Sequence, residues 1–239
     1  MAVRDRLSSL AHAHLNTLAE LLHKHPPARA LARFSKHIAE QPLDAVSANA
    51  VHFVTHAVPD ARAKEELLAR VHHAKRQIDT CAQHLAELAA QKLRDRTIVV
   101  HPLGTLTAPL VKDAKRIRFL HVNQAILHSL SLLKLEAHQP ITAANALENA
   151  DLVLLEPHAI TPEGIAVQQG GRLLAELADA RGIPVYAAAT SWHAIPGWSH
   201  SRSDERVPAR FLTGIISEHG IYAHDQFLAR VQKTFPWIF

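Results

Sequence analysis

The stretch GGRLLAELADARGIPVYAAATSW, Gly170 to Trp192, decides the fold class. Leu173, Leu174, Leu177 and Ala178 recur at the spacing of one helix face, which predicts a sheet-facing apolar stripe. Gly182 supplies a left-handed helix stop, and Ile183-Pro184 leads into the apolar run VYAAA. A helix followed by a buried strand is half of a βαβ crossover, which is right-handed in nearly all cases. Just upstream, LVLLEPHAITPEG, Leu152 to Gly164, reads as a buried strand running into a polar loop. That is where an open α/β sheet keeps its chemistry.

The same grammar extends on both sides. TIVV at residues 97–100 is a β-branched run followed by the turn-like HPLG. RIRFLHV (116–122), PITAA (140–144), IPVYAAA (183–189) and LTGIIS (212–217) are further expected strands. Helical patterns separate most of them, over Asn123–Glu136, Val167–Arg181 and His224–Lys233. Continuous apolar strands alternating with helices predict a parallel sheet covered on both faces.

Residues 1–96 read as all helix. Leu7, Leu10, Leu15, Leu18, Leu21 and Leu22 recur at helical spacing, and Pro26-Pro27 stops that helix. Ala28–Glu40 and Asp44–Ala57 follow, ended near Pro42 and Pro59, and Asp60 caps a long helix to about Arg94. The long helix carries Leu67, Val71, Ile78, Leu85 and Leu88 on its apolar stripe, with Ala74, Cys81 and Ala82 along it. The expected division is a helical domain over 1–96, ending in this connecting helix, and an α/β domain over 97–239.

Composition excludes several classes. The chain has 239 residues, 48 % hydrophobic and 20 % charged, as in an ordinary globular protein. A single cysteine, Cys81, allows no intramolecular disulfide and fits a reducing cytoplasm; on its stripe it reads as a packing residue. No run approaches the roughly 18 apolar residues of a membrane span, and Arg4, Arg6, His12 and His14 interrupt any signal peptide, so a cytoplasmic, membrane-free protein is expected. The formal charge of +4 comes from residues 1–96, with 14 Lys/Arg against 10 Asp/Glu; residues 97–239 hold 12 of each. With no long basic run and no interleaved aromatics, direct nucleic-acid binding is not expected. The densest basic spot, Lys112, Lys115, Arg116 and Arg118, is either a solvated helix end or an anion site.

Nineteen histidines invite a metal reading, yet only His52 and His56 have the spacing of a helix-borne ligand pair, and no third ligand stands nearby in a known motif. No metal and no cofactor is expected. Neither GxxxxGK[ST] nor GxGxxG occurs, and serine-nucleophile motifs are missing. Gly170-Gly171 near a helix start serves either an anion's approach to backbone N–H groups or close helix–strand packing.

At this point the chain resembles a known family. KLRDRTIVVHPLGT, ADLVLLEPHAITPEGIAVQQGGRLLAELADARGIPVYAAATSW and VPARFLTGIISEHGIY, in this order and spacing, resemble the initiation factor 2B-like family. That family includes the α, β and δ subunits of eukaryotic translation initiation factor 2B, ribose-1,5-bisphosphate isomerase and methylthioribose-1-phosphate isomerase. The resemblance spans about Ala63 to Tyr222. It implies an N-terminal all-helical domain followed by a Rossmann-like, mostly parallel sheet domain of the NagB/RpiA/CoA-transferase type.

The isomerases of this family use a thiol after a strand ending in His; the matching position here is Pro102, after His101. Their carboxylate ends a Gly-Ala-Asp triplet; the matching triplet is Glu156-Pro157-His158, so an imidazole replaces the acid. Where the family shows Asn-Gly and then Asn-Lys, this chain has Glu163-Gly164 and Gln168-Gln169, and the phosphate-region charge is gone. Proline neither exchanges a proton nor attacks through its side chain, whereas isomerising a sugar phosphate needs a base and an acid on one substrate. An unperturbed imidazole ionises near neutrality, which makes His158 the candidate acid or base, and Glu156, two residues away on an extended strand, is expected to share its face.

The resemblance therefore implies a non-catalytic regulatory or assembly protein like the α-type subunit of initiation factor 2B. The alternative is a divergent sugar-phosphate isomerase or a ligand sensor. Its partners would be a second copy through the α/β domain, initiation factor 2 or related subunits, and a sugar phosphate or nucleotide. Candidate ligand-binding residues, in a pocket between the helical domain and the strand ends, are His101, Gly104, Thr105, Glu156, His158, Gln168, Gln169, Gly170 and Ser191. The tail FLARVQKTFPWIF, with Phe235, Trp237, Ile238 and Phe239 around Pro236, is expected to dock on its own domain or on a neighbour.

Overall fold

The computed structural model describes residues 9–39, 44–56, 63–104, 106–119, 137–138, 142–197 and 204–239. The chain divides into two compact units, residues 1–80 and 81–239. In the first, helix α1 (Ser9–Lys24) buries Leu15, Leu18 and Leu22 on one face. Pro27 sits in the first turn of α2 (Pro27–Ala39), where its missing N–H costs nothing; Ala30 and Phe34 are that helix's buried residues. Asp44 caps α3 (Ala45–Thr55), its carboxylate accepting from Ser47 N at 2.6 Å. Helix α4 (Ala63–Leu93) starts with Glu65 and Glu66 at its positive end and buries Leu67, Val71, Ala74 and Ile78 in this unit. The expected cap Asp60 lies outside the described residues. The His52 and His56 rings lie 4.8 Å apart, and among the described residues no group of three His, Cys, Asp or Glu is placed to hold a metal.

Helix α4 continues into the second unit with Cys81, Ala82, Leu85, Ala89 and Leu93 buried. Leu88, expected on that stripe, is half-buried, because the face rotates toward Ala89 and Leu93. Strands β1 (Thr97–His101), β2 (Arg116–Phe119), β3 (Ala137–His138), β4 (Leu152–Leu155), β7 (Val185–Ala188), β9 (Gly214–Ser217) and β10 (Gly220–Tyr222) form a seven-stranded sheet in the order β10-β9-β7-β4-β1-β2-β3. All neighbours are parallel except β9 and β10. Every residue of β4, β7 and β9 is buried, which is why these strands read as unbroken apolar runs.

Four expectations need correction. The loop after β4 is instead a hairpin, β5 (Pro157–Thr161) and β6 (Gly164–Gln168), joined by β8 (Asp204–Pro208) in a second antiparallel sheet. Val167 therefore lies on β6, and the helix after it, α7 (Gly171–Asp179), starts four residues later than expected. Part of PITAA is helical: Thr142 accepts from Asn145 N at 3.2 Å and starts α6 (Ala143–Ala146), where alanines favour helix over strand. On α7 the buried face is Leu174, Ala175 and Ala178, while Leu173 is 56 % exposed. The expected helix over Asn123–Glu136 lies outside the described residues. Between β1 and β2, a short helix α5 (Thr107–Leu110) follows the HPLG turn.

The basic spot resolves into one structural arginine and three exposed side chains. Arg118 donates to the carbonyls of Ala146, at 2.9 Å, and Glu148 at the end of α6, as cations do at helix C-termini. Lys112, Lys115 and Arg116 are exposed. Helix α8 (His224–Thr234) and the tail close the unit: Trp192, Phe235 and Trp237 form an aromatic cluster with ring centroids 5.4–6.0 Å apart, and Ile238 is buried in the same core as Phe227 and Val231. The tail thus docks on its own unit. No helix among the described residues is long and apolar enough to cross a membrane.

Two predictions follow from this packing. Ile238→Ala should lower the unfolding free energy by about 2–4 kcal/mol, independently of protein concentration in a urea titration; a loss that grows on dilution would place the tail on a neighbouring copy. In the first unit His14 is only 2 % exposed, with neither ring nitrogen bonded to a protein group. Burial, and His37 beside it, push its pKa below the ordinary value, with Asp44 opposing. A lowered folded pKa means stability that is complete above about pH 6.5 and declines as pH falls below it. His14→Leu should flatten that decline in melts between pH 7 and pH 5; an unchanged slope would show that His14 does not cause it.

Candidate functional site

The sheet reverses direction between β1 and β4: the chain runs outward from β1 to β2 and β3, then returns to add β4 on the other side of β1. Open α/β sheets bind ligands at the carboxyl ends of the two strands flanking such a switch point. Here those ends are His101-Pro102-Leu103-Gly104 after β1 and Glu156-Pro157-His158 after β4. The ladder continues past both strands, Glu156 N donating to His101 O at 3.0 Å.

The Glu156 carboxylate lies against Gly104, where a Cβ would come within 2.2 Å of its oxygen. Only a glycine backbone admits the carboxylate so closely. Oε2 accepts from Thr107 N at 2.8 Å and from Thr107 Oγ1 at 2.6 Å. The same hydroxyl accepts from Gly104 N at 3.0 Å and lies 3.2 Å from Pro102 O. Although Glu156 as a residue is half-exposed, its carboxylate is turned inward. Burial pushes its pKa up, against the lowering by its Thr107 and Leu106 hydrogen bonds and by nearby His158.

His101, buried at the end of β1, points Nε2 at the carbonyls of Gln168 (3.2 Å) and Gln169 (3.0 Å), so Nε2 carries the proton. These carbonyls belong to the turn from β6 into α7. Gly170 has φ +96°, and a Cβ on Gly171 would meet Val167 at 2.5 Å and His101 at 3.2 Å. Close packing explains Gly171, and a left-handed turn explains Gly170. Two N–H groups at this helix start already meet an anion: Glu205 Oε2, from β8, accepts from Gly170 N at 2.9 Å and Arg172 N at 3.2 Å.

His158 departs from the expected arrangement. The β5–β6 ladder shifts register between Pro157 and Ala159, and His158 Nδ1 lies 2.8 Å from Asp204 Oδ1 on β8. So Glu156 turns to Gly104 and Thr107, and His158 turns to Asp204. Ser191, after β7, belongs to another network. Its N–H donates to the buried Glu218 carboxylate at 3.0 Å, and its Oγ lies 3.0 Å from His219 Nε2. Cys81 also bonds Glu218, and burial raises its thiol pKa far beyond reactivity. The structure thus gathers His101, Gly104, Glu156, Gln168, Gln169 and Gly170 around the switch point and leaves Ser191 with the β9–β10 turn. Thr105 lies outside the described residues. Thr107, Asp204, Glu205 and Glu218 carry the polar network without having stood out in sequence. The acidic pair in SRSDERVP opening a strand was the one available signal.

The helical N-terminal region followed by a mostly parallel α/β sheet shares its fold with solved initiation factor 2B subunits and with a methylthioribose-1-phosphate isomerase. The translation initiation factor eIF-2B of Pyrococcus horikoshii OT3 superposes with a TM-score of 0.74 at 20 % identity, over 91 % of each chain. The tetrameric eIF2B-beta2-delta2 complex from C. thermophilum contains a chain that matches with a TM-score of 0.72 at 14 % identity, over 98 % of this chain and 92 % of that one. The 5-methylthioribose 1-phosphate isomerase of P. horikoshii OT3 gives 0.68 at 16 % identity, over 98 % and 86 %. No family model matches the chain, and no curated protein matches it by sequence.

The raised Glu156 pKa sets a pH dependence with a definite sign. The folded state favours the protonated acid, so this contribution is complete below about pH 4.3 and lost as pH rises through the raised folded value. Glu156→Gln cannot ionise and keeps an acceptor oxygen for Thr107. The melting temperature of the parent chain, minus that of Glu156→Gln, should fall between pH 4 and pH 7. A rising difference would mean that the Thr107 hydrogen bonds outweigh burial.

Proposed function

We propose that this chain is a non-catalytic regulatory or assembly protein resembling the α-type subunit of initiation factor 2B, working in the cytoplasm as a homodimer paired through its α/β domain, with initiation factor 2 or related subunits as partners. The observation that carries this is the state of the switch point. Pro102 stands where the isomerases need a thiol, and Glu156, the nearest acid, is committed to Thr107 and Gly104. A fold supports many functions, so the site decides. Exposed Leu173 and Ile221 offer apolar surface on the α/β domain for self-pairing. The C. thermophilum protein, solved as a beta2-delta2 tetramer, supports assembly as the role. A sugar phosphate or nucleotide is the small molecule that the resemblance brings with it as a regulatory ligand.

One feature favours the alternative, a divergent sugar-phosphate isomerase. His158 is held by Asp204 as a carboxylate holds a general base, and Glu156 has the raised pKa of an acid. The purified chain should show no turnover of ribose-1,5-bisphosphate or methylthioribose-1-phosphate by NMR and should sediment as a dimer that Leu173→Lys or Ile221→Lys weakens. Turnover abolished by His158→Ala would establish the isomerase instead.

A further inference from the structure

Strand β8 opens with two adjacent carboxylates. Its antiparallel register on β6 sets Asp204 opposite Gln168 and Glu205 opposite Val167, so both acids are delivered to the end of β6 by sheet pairing. Asp204 meets the His158 imidazole at 2.8 Å. Glu205 meets, through one oxygen, the N–H of Gly170, just before α7, at 2.9 Å and that of Arg172, in its first turn, at 3.2 Å. An imidazole N–H and the positive end of a helix both attract an anion. Each already holds one. The nearby Arg172 is engaged with Glu176 at 2.8 Å.

We infer that Asp204 and Glu205 are specificity-determining residues: they stand in for a free anion, so the cleft rejects phosphorylated ligands and favours uncharged or cationic ones. The inference rests on the regulatory reading above and replaces its sugar phosphate or nucleotide with an unphosphorylated ligand. A tethered carboxylate competes at the high effective concentration set by its strand, which a free phosphate at cellular levels does not reach. A dianion entering beside two carboxylates also meets like-charge repulsion, strengthened where water is scarce.

The test is calorimetric titration of inorganic phosphate, and separately ribose 5-phosphate, into the parent chain, Glu205→Ala and Asp204→Asn/Glu205→Ala, with folding checked by circular dichroism. The parent chain should take up neither ligand at millimolar concentration. Glu205→Ala should bind phosphate about tenfold or more tightly than the parent, and the double variant more tightly still. If Glu205→Ala fails to fold, Glu205→Gln, which removes the charge and keeps an acceptor, takes its place. Phosphate binding by the parent chain, or a folded variant as blind to phosphate as the parent, overturns the inference. Binding without turnover would do so while leaving the regulatory reading intact; turnover of a sugar phosphate would remove that reading.

Discussion

A buried polar side chain at a strand end, such as the His101 imidazole, must find its partner inside the protein, because little water reaches it. The turn from Gln168 to Arg172 shows what this demands. Two carbonyls point one way and are met by His101; two N–H groups point another way and are met by Glu205. Gly171 keeps the turn close enough for both contacts, since any side chain there would strike Val167 and His101. The turn ties the large sheet to the small one, because His101 comes from β1 and Glu205 from β8. Loss of the Glu205 acceptor here forfeits two hydrogen bonds, one part-buried and one exposed, each worth about 1 kcal/mol.

The same requirement shapes the switch point. With Gly104 bare of a side chain, the Glu156 carboxylate settles between two backbone segments and satisfies Thr107. A crevice that in many α/β proteins receives a ligand is lined here by groups already bonded to each other. Self-satisfaction of this kind stiffens a scaffold, and a satisfied polar network fixes a single arrangement. Those are useful properties in a protein that presents surfaces to partners, and poor ones in an enzyme whose acid and base must reach a substrate.

Local signals made much of this legible. Leu15, Leu18 and Leu22 on α1, Asp44 before α3 and the apolar runs of β1, β4, β7 and β9 carry their structure in spacing and composition. His101 and Gly104 could be placed at a strand end from the TIVV run and the HPLG turn, whereas the Gln168–Gly170 turn was expected inside a helix. What escaped depends on partners distant in sequence. Nothing near Glu205 announces that its carboxylate will cap a helix 35 positions earlier. The β5–β6 hairpin read as a loop because Glu156-Pro157 and Pro162-Glu163 carry turn residues, and only pairing with β8 makes strands of the segments between them. Leu173 looked like core because periodicity alone does not separate the centre of a helix face from its edge, and α7 turns Ala175 inward instead.

The likeness of backbone to proteins of 14–20 % identity bears on chemistry only through these contacts. A cysteine at position 102 would not by itself supply an activated thiol. The Pro102 carbonyl lies within reach of the Thr107 hydroxyl that also binds Glu156, so a thiol there would adjoin a buried acid. Once ionised, that acid would repel a thiolate and hold the sulfur protonated, the opposite of what a nucleophile needs. A working acid–base pair would also require Glu156 to release Thr107 and His158 to turn from Asp204 toward a shared substrate. Acid–base chemistry at these strand ends therefore depends on the hydrogen-bond partners of Glu156 and His158.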